Sequence, residues 1–232
     1  PITCPFQFQA YLTKTRSYRD LPIRYAETST LFRNEASGEM HGLIRVRQFT
    51  ISEGHIVCAP DQLEAEFRSS LDLASFMLKS IGLEEDVSYR YSTWDPQNRE
   101  KYIGSEDQWA AVQDTMQGIL DHMGLQYEHG FGEAAFYGPK LDIQIKNVFG
   151  KEDTLITIQI DFQLAERFGM VYTDRDGNRQ HPIIIHRTSI GCYERTLALL
   201  IEKYAGALPL WIAPEQRSEE RRVGKECRSR RS

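Results

Sequence analysis

The sequence has no apolar run approaching the ~20 residues of a membrane-spanning helix, so a helical membrane protein is excluded. Nothing at Pro1 has the form of a signal peptide. Cysteine is scarce: Cys4, Cys58, Cys192 and Cys227 lie far apart and form no CxxC pair. That spacing argues against a disulfide framework and for a reducing, cytoplasmic setting. The glycine-rich loops GxxxxGK[ST] and GxGxxG are absent too, so any nucleotide would have to be held by side chains. No internal repeat or low-complexity linker is present. Nor is there an excess of positive charge: the net charge of −5 is unusual for a dedicated nucleic-acid binder, although a local basic surface can suffice. What remains is a globular composition, with 41% hydrophobic residues, and length for one large domain or two small ones.

The last sixteen residues differ in kind. Arg217 to Ser232 holds seven basic and three acidic residues, a net +4 that leaves −9 on the rest. It could be a disordered basic tail or an RNA-binding arm. RSEER, however, is what the opening bases of a common sequencing adapter encode, and the residues after it resemble the continuation. The tail is therefore read as non-native, and the fold is sought in residues 1–216.

Within that span, hydrophobic periodicity predicts the elements. A short helix is expected from Pro5 to about Lys14, then strands at Ile23–Glu35 and Leu43–Val57 joined through a glycine-bearing loop. Pro60–Ile81 is helical, with Leu63, Phe67, Leu71, Ala74 and Leu78 on one stripe and Gly82 placed as a C-terminal cap. Val87–Ser92 is a strand. Ser105 and Gln108 form a capping box that opens a helix ending at Gly124. Strands follow at Leu141–Val148, Thr154–Phe162 and Ile183–Ile185, with a turn at Asp176-Gly177. A helix runs from about Gly191 to Tyr204. Strands joined by hairpins with helices between them predict an α+β fold, an antiparallel sheet flanked by helices.

Three constellations carry chemistry. On paired strands, alternation can bring Arg33, Glu35, Arg45 and Phe49 to one face. Arginine's planar fork fits phosphate oxygens, a carboxylate can accept from an exocyclic amine, and a ring can stack on a purine. A solvated face with cross-strand ion pairs has the same spelling. Second, Ile183-Ile184-Ile185-His186-Arg187 runs through Gly191-Cys192 into a helix whose first turn carries Arg195, an arrangement suited to an anion and equally to a surface ion pair. Third, Cys4, His55 and His186 are zinc-type ligands. Their wide separations match no local zinc motif, so they also read as a core cysteine and ordinary histidines.

The detailed spelling narrows these choices. FRNEASGEMHGLIRVRQF resembles motif 2 of class II aminoacyl-tRNA synthetases, and IHRTSIGCYER resembles motif 3. Cys4-Pro5, SYRDLPIRYAE, GEAAFYGPKLD, TIQIDFQL and LPLWIAP resemble the threonyl-tRNA synthetase family, over essentially Pro1 to Gln216. The resemblance implies a threonine–tRNA ligase core without motif 1. The partners implied are ATP with Mg²⁺, threonine and tRNA(Thr), and the intact enzyme would be a homodimer away from membranes. Arg33 would grip the α-phosphate, Arg45 and Arg195 the γ-phosphate, Glu35 the adenine amine, and Phe49 the adenine ring. Arg33 and Arg195 are thereby the catalytic pair, and Gln159 joins the ATP contacts. Cys4, His55 and His186 would bind one zinc ion per subunit, and that ion would take the amine and hydroxyl of threonine. Glu53, Tyr137 and Lys140 would line the threonine pocket. Two departures stand out. In FTISEGH, many members carry Gln-Asp-Asp where this chain has Ile51, Ser52 and Glu53. Cys192 occupies a position where serine is common. A prolyl or seryl enzyme, or a synthetase-like module without catalysis, are the rival readings.

Overall fold

Period-two alternation sets the layout. On Lys140–Lys146, Leu141, Ile143 and Ile145 are fully buried in the main apolar cluster, while Lys140, Asp142 and Gln144 turn to the other face. On Glu152–Asp161 the same split sends Ile156, Ile158 and Ile160 to the core, and Thr157, Gln159 and Asp161 away from it. One face of the sheet is thus built to be covered and the other to carry polar groups.

The computed structural model describes residues 3–215. In chain order the elements are α1 (Cys4–Leu12), β1 (Ile23–Phe32), β2 (Gln48–Cys58), α2 (Leu63–Ser80), β3 (Val87–Thr93), α3 (Glu106–His122) and β4 (Glu128–Phe131). There follow β5 (Lys140–Lys146), β6 (Glu152–Asp161), α4 (Leu164–Arg167), β7 (Tyr172–Thr173), β8 (Arg179–Gln180), β9 (Ile183–Cys192) and α5 (Tyr193–Tyr204). The seven-stranded sheet runs β1-β2-β9-β6-β5-β3-β4, and β7 with β8 forms a small separate ribbon around the expected turn. The basic tail from Arg217 lies outside the described residues.

The α+β expectation holds, with one refinement. Neighbouring strands of the large sheet are antiparallel except β3 and β4, which are parallel, so the sheet is mixed. A parallel pair needs a crossover, and α3 supplies it. The pattern reading missed β4 because EHGF is short and carries no apolar alternation.

The helices behave as their stripes dictate. Phe67 and Ala74 of α2 are fully buried, with Leu71 and Leu78 nearly so, against Ile56, Ile158 and Ile185 of the sheet. The phenylalanine and leucines each contribute roughly 1.5–3 kcal/mol when withdrawn from water. Gly82, at φ +74°, lets Leu83 N–H bond Leu78 O at 2.9 Å and close the helix end. At α3, Ser105 Oγ accepts from Gln108 N–H at 3.2 Å and Gln108 Oε1 accepts from Ser105 N–H at 2.9 Å, the reciprocal cap expected there. The polar face of the sheet is covered in part by α1, where Phe8 and Tyr11 pack with Val57, Ile184 and Met170.

The first strand ends at Phe32 and not at Glu35, and larger shifts occur at two other strand ends. The second strand begins at Gln48 and not at Leu43, because residues 33–47 form a loop: Arg33 N–H bonds Arg47 O at 2.8 Å, and His41 pairs with Arg45 across a tight turn at Gly42. The last strand runs to Cys192, seven residues past Ile185, because HRTSIGC pairs with β2 despite its polar spelling.

Candidate active site

A cleft of about 470 Å³ opens on the polar face, over β2, β9 and β6. Among the residues lining it are Arg33, Glu35, Arg45, Phe49 and Arg195 at one part, and Cys4, Glu53, Tyr137, Gln159 and His186 at another. The sequence pattern expected Arg33, Glu35 and Arg45 to meet by strand alternation. They meet through the loop instead. Glu35 is 3% exposed, and its Oε2 accepts from Arg45 Nε at 3.0 Å and Nη2 at 2.9 Å. Arg33 Nη1 stands 3.5 Å from Glu35 Oε1, and its guanidinium lies over the Phe49 ring at 5.3 Å. Arg47 Nε donates to Glu35 O at 3.0 Å, pinning the same turn. The Arg45 hydrogen bond holds the Glu35 carboxyl below the usual carboxylate range, so it stays an acceptor.

Arg195 lies in the first turn of α5. It donates from Nε to Ile44 O at 3.0 Å and from Nη1 to Thr154 O at 2.5 Å, tying the loop to β6. A guanidinium has five N–H groups, so others stay free for an anion.

At the other part, β-pairing does what sequence spacing could not. His55 on β2 and His186 on β9 are register partners, with ring centroids 4.5 Å apart. Cys4, at the start of α1, brings Sγ to 3.7 Å from His186 Nδ1. Glu53, two residues before His55 on the same face, puts Oε1 at 3.7 Å from His55 Nε2 and 3.9 Å from Cys4 Sγ. One donor atom from each of Cys4, Glu53, His55 and His186 lies within 4.8 Å of the others. Tetrahedral coordination with bonds of about 2.0–2.3 Å implies ligand–ligand edges of roughly 3.3–3.6 Å, so small closing motions suffice.

The outward nitrogens of both imidazoles are already engaged. His55 Nδ1 donates to Gln7 Oε1 at 2.7 Å, and His186 Nε2 donates to Asp161 Oδ2 at 2.9 Å. These bonds leave His55 Nε2 and His186 Nδ1 as lone-pair donors turned into the cluster. His55 Nε2 is buried with no hydrogen-bond partner, a costly state for a polar atom unless something binds it. Burial, then the neighbouring His186, pulls His55 down to about 2, so it is neutral and ligand-ready. Burial, then Glu53, pushes the Cys4 thiol up to about 12. A cation would reverse that, because metal binding drives off the thiol proton. The donor set fits a borderline-soft divalent ion such as zinc.

Tyr137 stacks on His186 at 4.7 Å and donates its hydroxyl to Gln159 Oε1. Gln159 therefore sits beside the thiol–imidazole cluster, opposite His186 in register. Lys140 is on the same sheet face, but its ammonium is 2.6 Å from Asp142 Oδ2 and it does not line the cleft. Sequence reasoning missed the orienting groups Gln7, Asp161 and Asp142. Asp161 and Asp142 had a legible signal, as polar residues alternating with isoleucine and leucine on buried strands. Gln7 had none.

Comparison with known proteins follows the same lines. A family model described as the tRNA synthetase class II core domain (G, H, P, S and T) matches residues 1–204. A Clostridium perfringens protein named threonine–tRNA ligase is 64% identical over 216 residues, 93% of this chain and 34% of that protein. Its Deinococcus radiodurans counterpart is 48% identical, over 93% of this chain and 33% of that protein. The chain thus spans about a third of the length of the curated relatives it matches. Among solved structures, one titled as the RNA binding domain of threonyl-tRNA synthetase from Cryptosporidium parvum superposes with a TM-score of 0.85 at 35% identity, covering 93% of this chain and 53% of that one. Seryl-tRNA synthetase from Pyrococcus horikoshii, at 0.60 and 17% identity, over 85% of this chain and 37% of that one, shares the fold.

Proposed function

The chain belongs to the class II tRNA synthetase core family, and from that premise we propose that it activates threonine with ATP and passes the threonyl group to tRNA(Thr). The observation that carries this reading is the meeting, in one cleft, of an arginine-bearing end with a thiol–imidazole cluster. Relatives at 48–64% identity bear the name of that activity.

In this reading Arg33 binds the α-phosphate of ATP held with Mg²⁺, and Arg45 and Arg195 bind the γ-phosphate. Glu35 accepts from the adenine amine, and Phe49 supplies a stacking face, with Arg33 already poised above it. The threonine carboxylate attacks the α-phosphorus; a carboxylate O–P bond forms to give threonyl-adenylate, the bond to the α–β bridging oxygen breaks, and pyrophosphate leaves. The terminal ribose hydroxyl of tRNA then attacks the carbonyl carbon, and AMP departs. No protein nucleophile is required. The arginines supply positioning and stabilise developing phosphate charge.

Cys4, His55 and His186 would hold zinc, which when bound offers a Lewis-acid anchor for an amine and an adjacent hydroxyl. Tyr137, Gln159 and Glu53 line the space around that anchor, and Lys140 joins them if Asp142 releases it. A pocket that demands a polar partner rejects valine, of threonine's shape, far better than a purely apolar pocket could. The enzyme would work in the cytoplasm as a homodimer.

The test is ATP–pyrophosphate exchange by the protein extended to the span of its relatives. Exchange driven by threonine is expected. Exchange driven by proline or serine instead would retire the threonyl reading and leave a different member of the same class.

A further inference from the structure

We propose that Glu53 is a fourth protein ligand to the metal, closing the site until an amino acid displaces it. The inference rests on the metal reading above and adds a residue to it.

Three observations support it. First, position: Glu53 Oε1 stands 3.7 Å from His55 Nε2 and 3.9 Å from Cys4 Sγ, no farther than Cys4 Sγ stands from His186 Nδ1 within about 0.2 Å. Second, orientation: each imidazole is fixed by a partner on its far atom, Gln7 on His55 and Asp161 on His186. Glu53 follows the same pattern, since Thr3 Oγ1 donates to Oε2 and leaves Oε1 turned toward the cluster. Third, charge: a thiolate, a carboxylate and two neutral imidazoles neutralise a divalent cation, whereas the thiolate and imidazoles alone leave a net positive charge in a mostly buried place. The chain's spelling permits this. Glutamate is one methylene longer than aspartate, and its carboxylate on β2 lies within 4.8 Å of the other three donor atoms.

A closed four-ligand site is inert to water, whereas an open position invites it. Glu53 therefore acts as a displaceable plug. An amine with a neighbouring hydroxyl would offer two donors in place of the single Glu53 oxygen. An amine alone offers less.

The test uses the full chain loaded with Co²⁺, whose visible absorption reports coordination number, and chelator competition with Zn²⁺ for affinity. Wild type without amino acid should show the intense absorption of a four-coordinate cobalt site. Glu53→Gln should weaken that absorption and lower metal affinity by ~10- to 100-fold or more, since even loss of an orienting partner costs that much. Glu53→Asp, which keeps the charge but shortens the reach, should behave like Glu53→Gln, and it keeps the test open if the amide variant fails to fold. Spectra and affinities unchanged in both variants would overturn the proposal while leaving the Cys4–His55–His186 site intact. A wild type that binds no metal would overturn both.

Discussion

At the residue scale, the site is a set of polar side chains whose cost is met by partners. Glu35 is buried but takes three contacts from two arginines, and the two short ones come from Arg45, so losing Arg45 would strip most of its pairing. Arg33 is different. Its contact with Glu35 is long and its guanidinium is 60% exposed, so it is available for a ligand. Arg33→Ala should leave stability nearly unchanged, as seen by urea unfolding. In the exchange assay it should cost about 10²–10³-fold, the scale of losing one preorganised charge-stabilising donor. His55 makes a pH prediction. Its folded value of about 2 lies below its ordinary 6.5, so protons bind the unfolded state preferentially. Stability from this group is complete above 6.5 and drains as pH falls below it, by about 1.4 kcal/mol per pH unit. Denaturant titrations of metal-free protein should show that slope in wild type and its loss in His55→Gln. These residues were nameable from the sequence because motif spelling singles them out. Gln7 was not, since its orienting role leaves no mark on spacing, and Asp161 showed only as a polar residue alternating with isoleucines on a buried strand.

At the element scale, the stripes of α2 and α3 and their caps were legible because each is decided within one or two turns. The strands were legible where they face the apolar core and illegible where they face the cleft. HRTSIGC continues β9 with few apolar residues because it lines the polar cleft and not the apolar core, and in 33–47 Arg33 and Arg45 converge on Glu35 away from the sheet. Glycines mark the tight points. Gly191 has φ +75°, and a Cβ there would fall 2.0 Å from Leu155 O, a main-chain atom that cannot step aside. Gly191→Ala should lose more than ~2 kcal/mol, whereas Gly118→Ala in α3, with open space around it, should gain roughly 0.5–1 kcal/mol. Thermal unfolding of the two variants side by side checks both signs.

At the scale of the whole molecule, the sheet is a device for making distant residues neighbours. Cys4 and His186 are 182 positions apart and 3.7 Å apart in space. No local pattern announces that, which is why the spacing alone left them as a core cysteine and ordinary histidines. It is the pairing of β2 with β9, beside a helix that begins at Cys4, which brings them together. Among the described residues, no helix is long and apolar enough to cross a membrane.

The claim beneath all of this is that a thiol and two imidazoles share one ion beside a set of arginines. Metal analysis of the purified protein, wild type against His186→Ala, tests it most directly. The account predicts one zinc per chain in the first and its loss in the second, with circular dichroism showing the fold retained. Full zinc occupancy in a well-folded His186→Ala protein would contradict it.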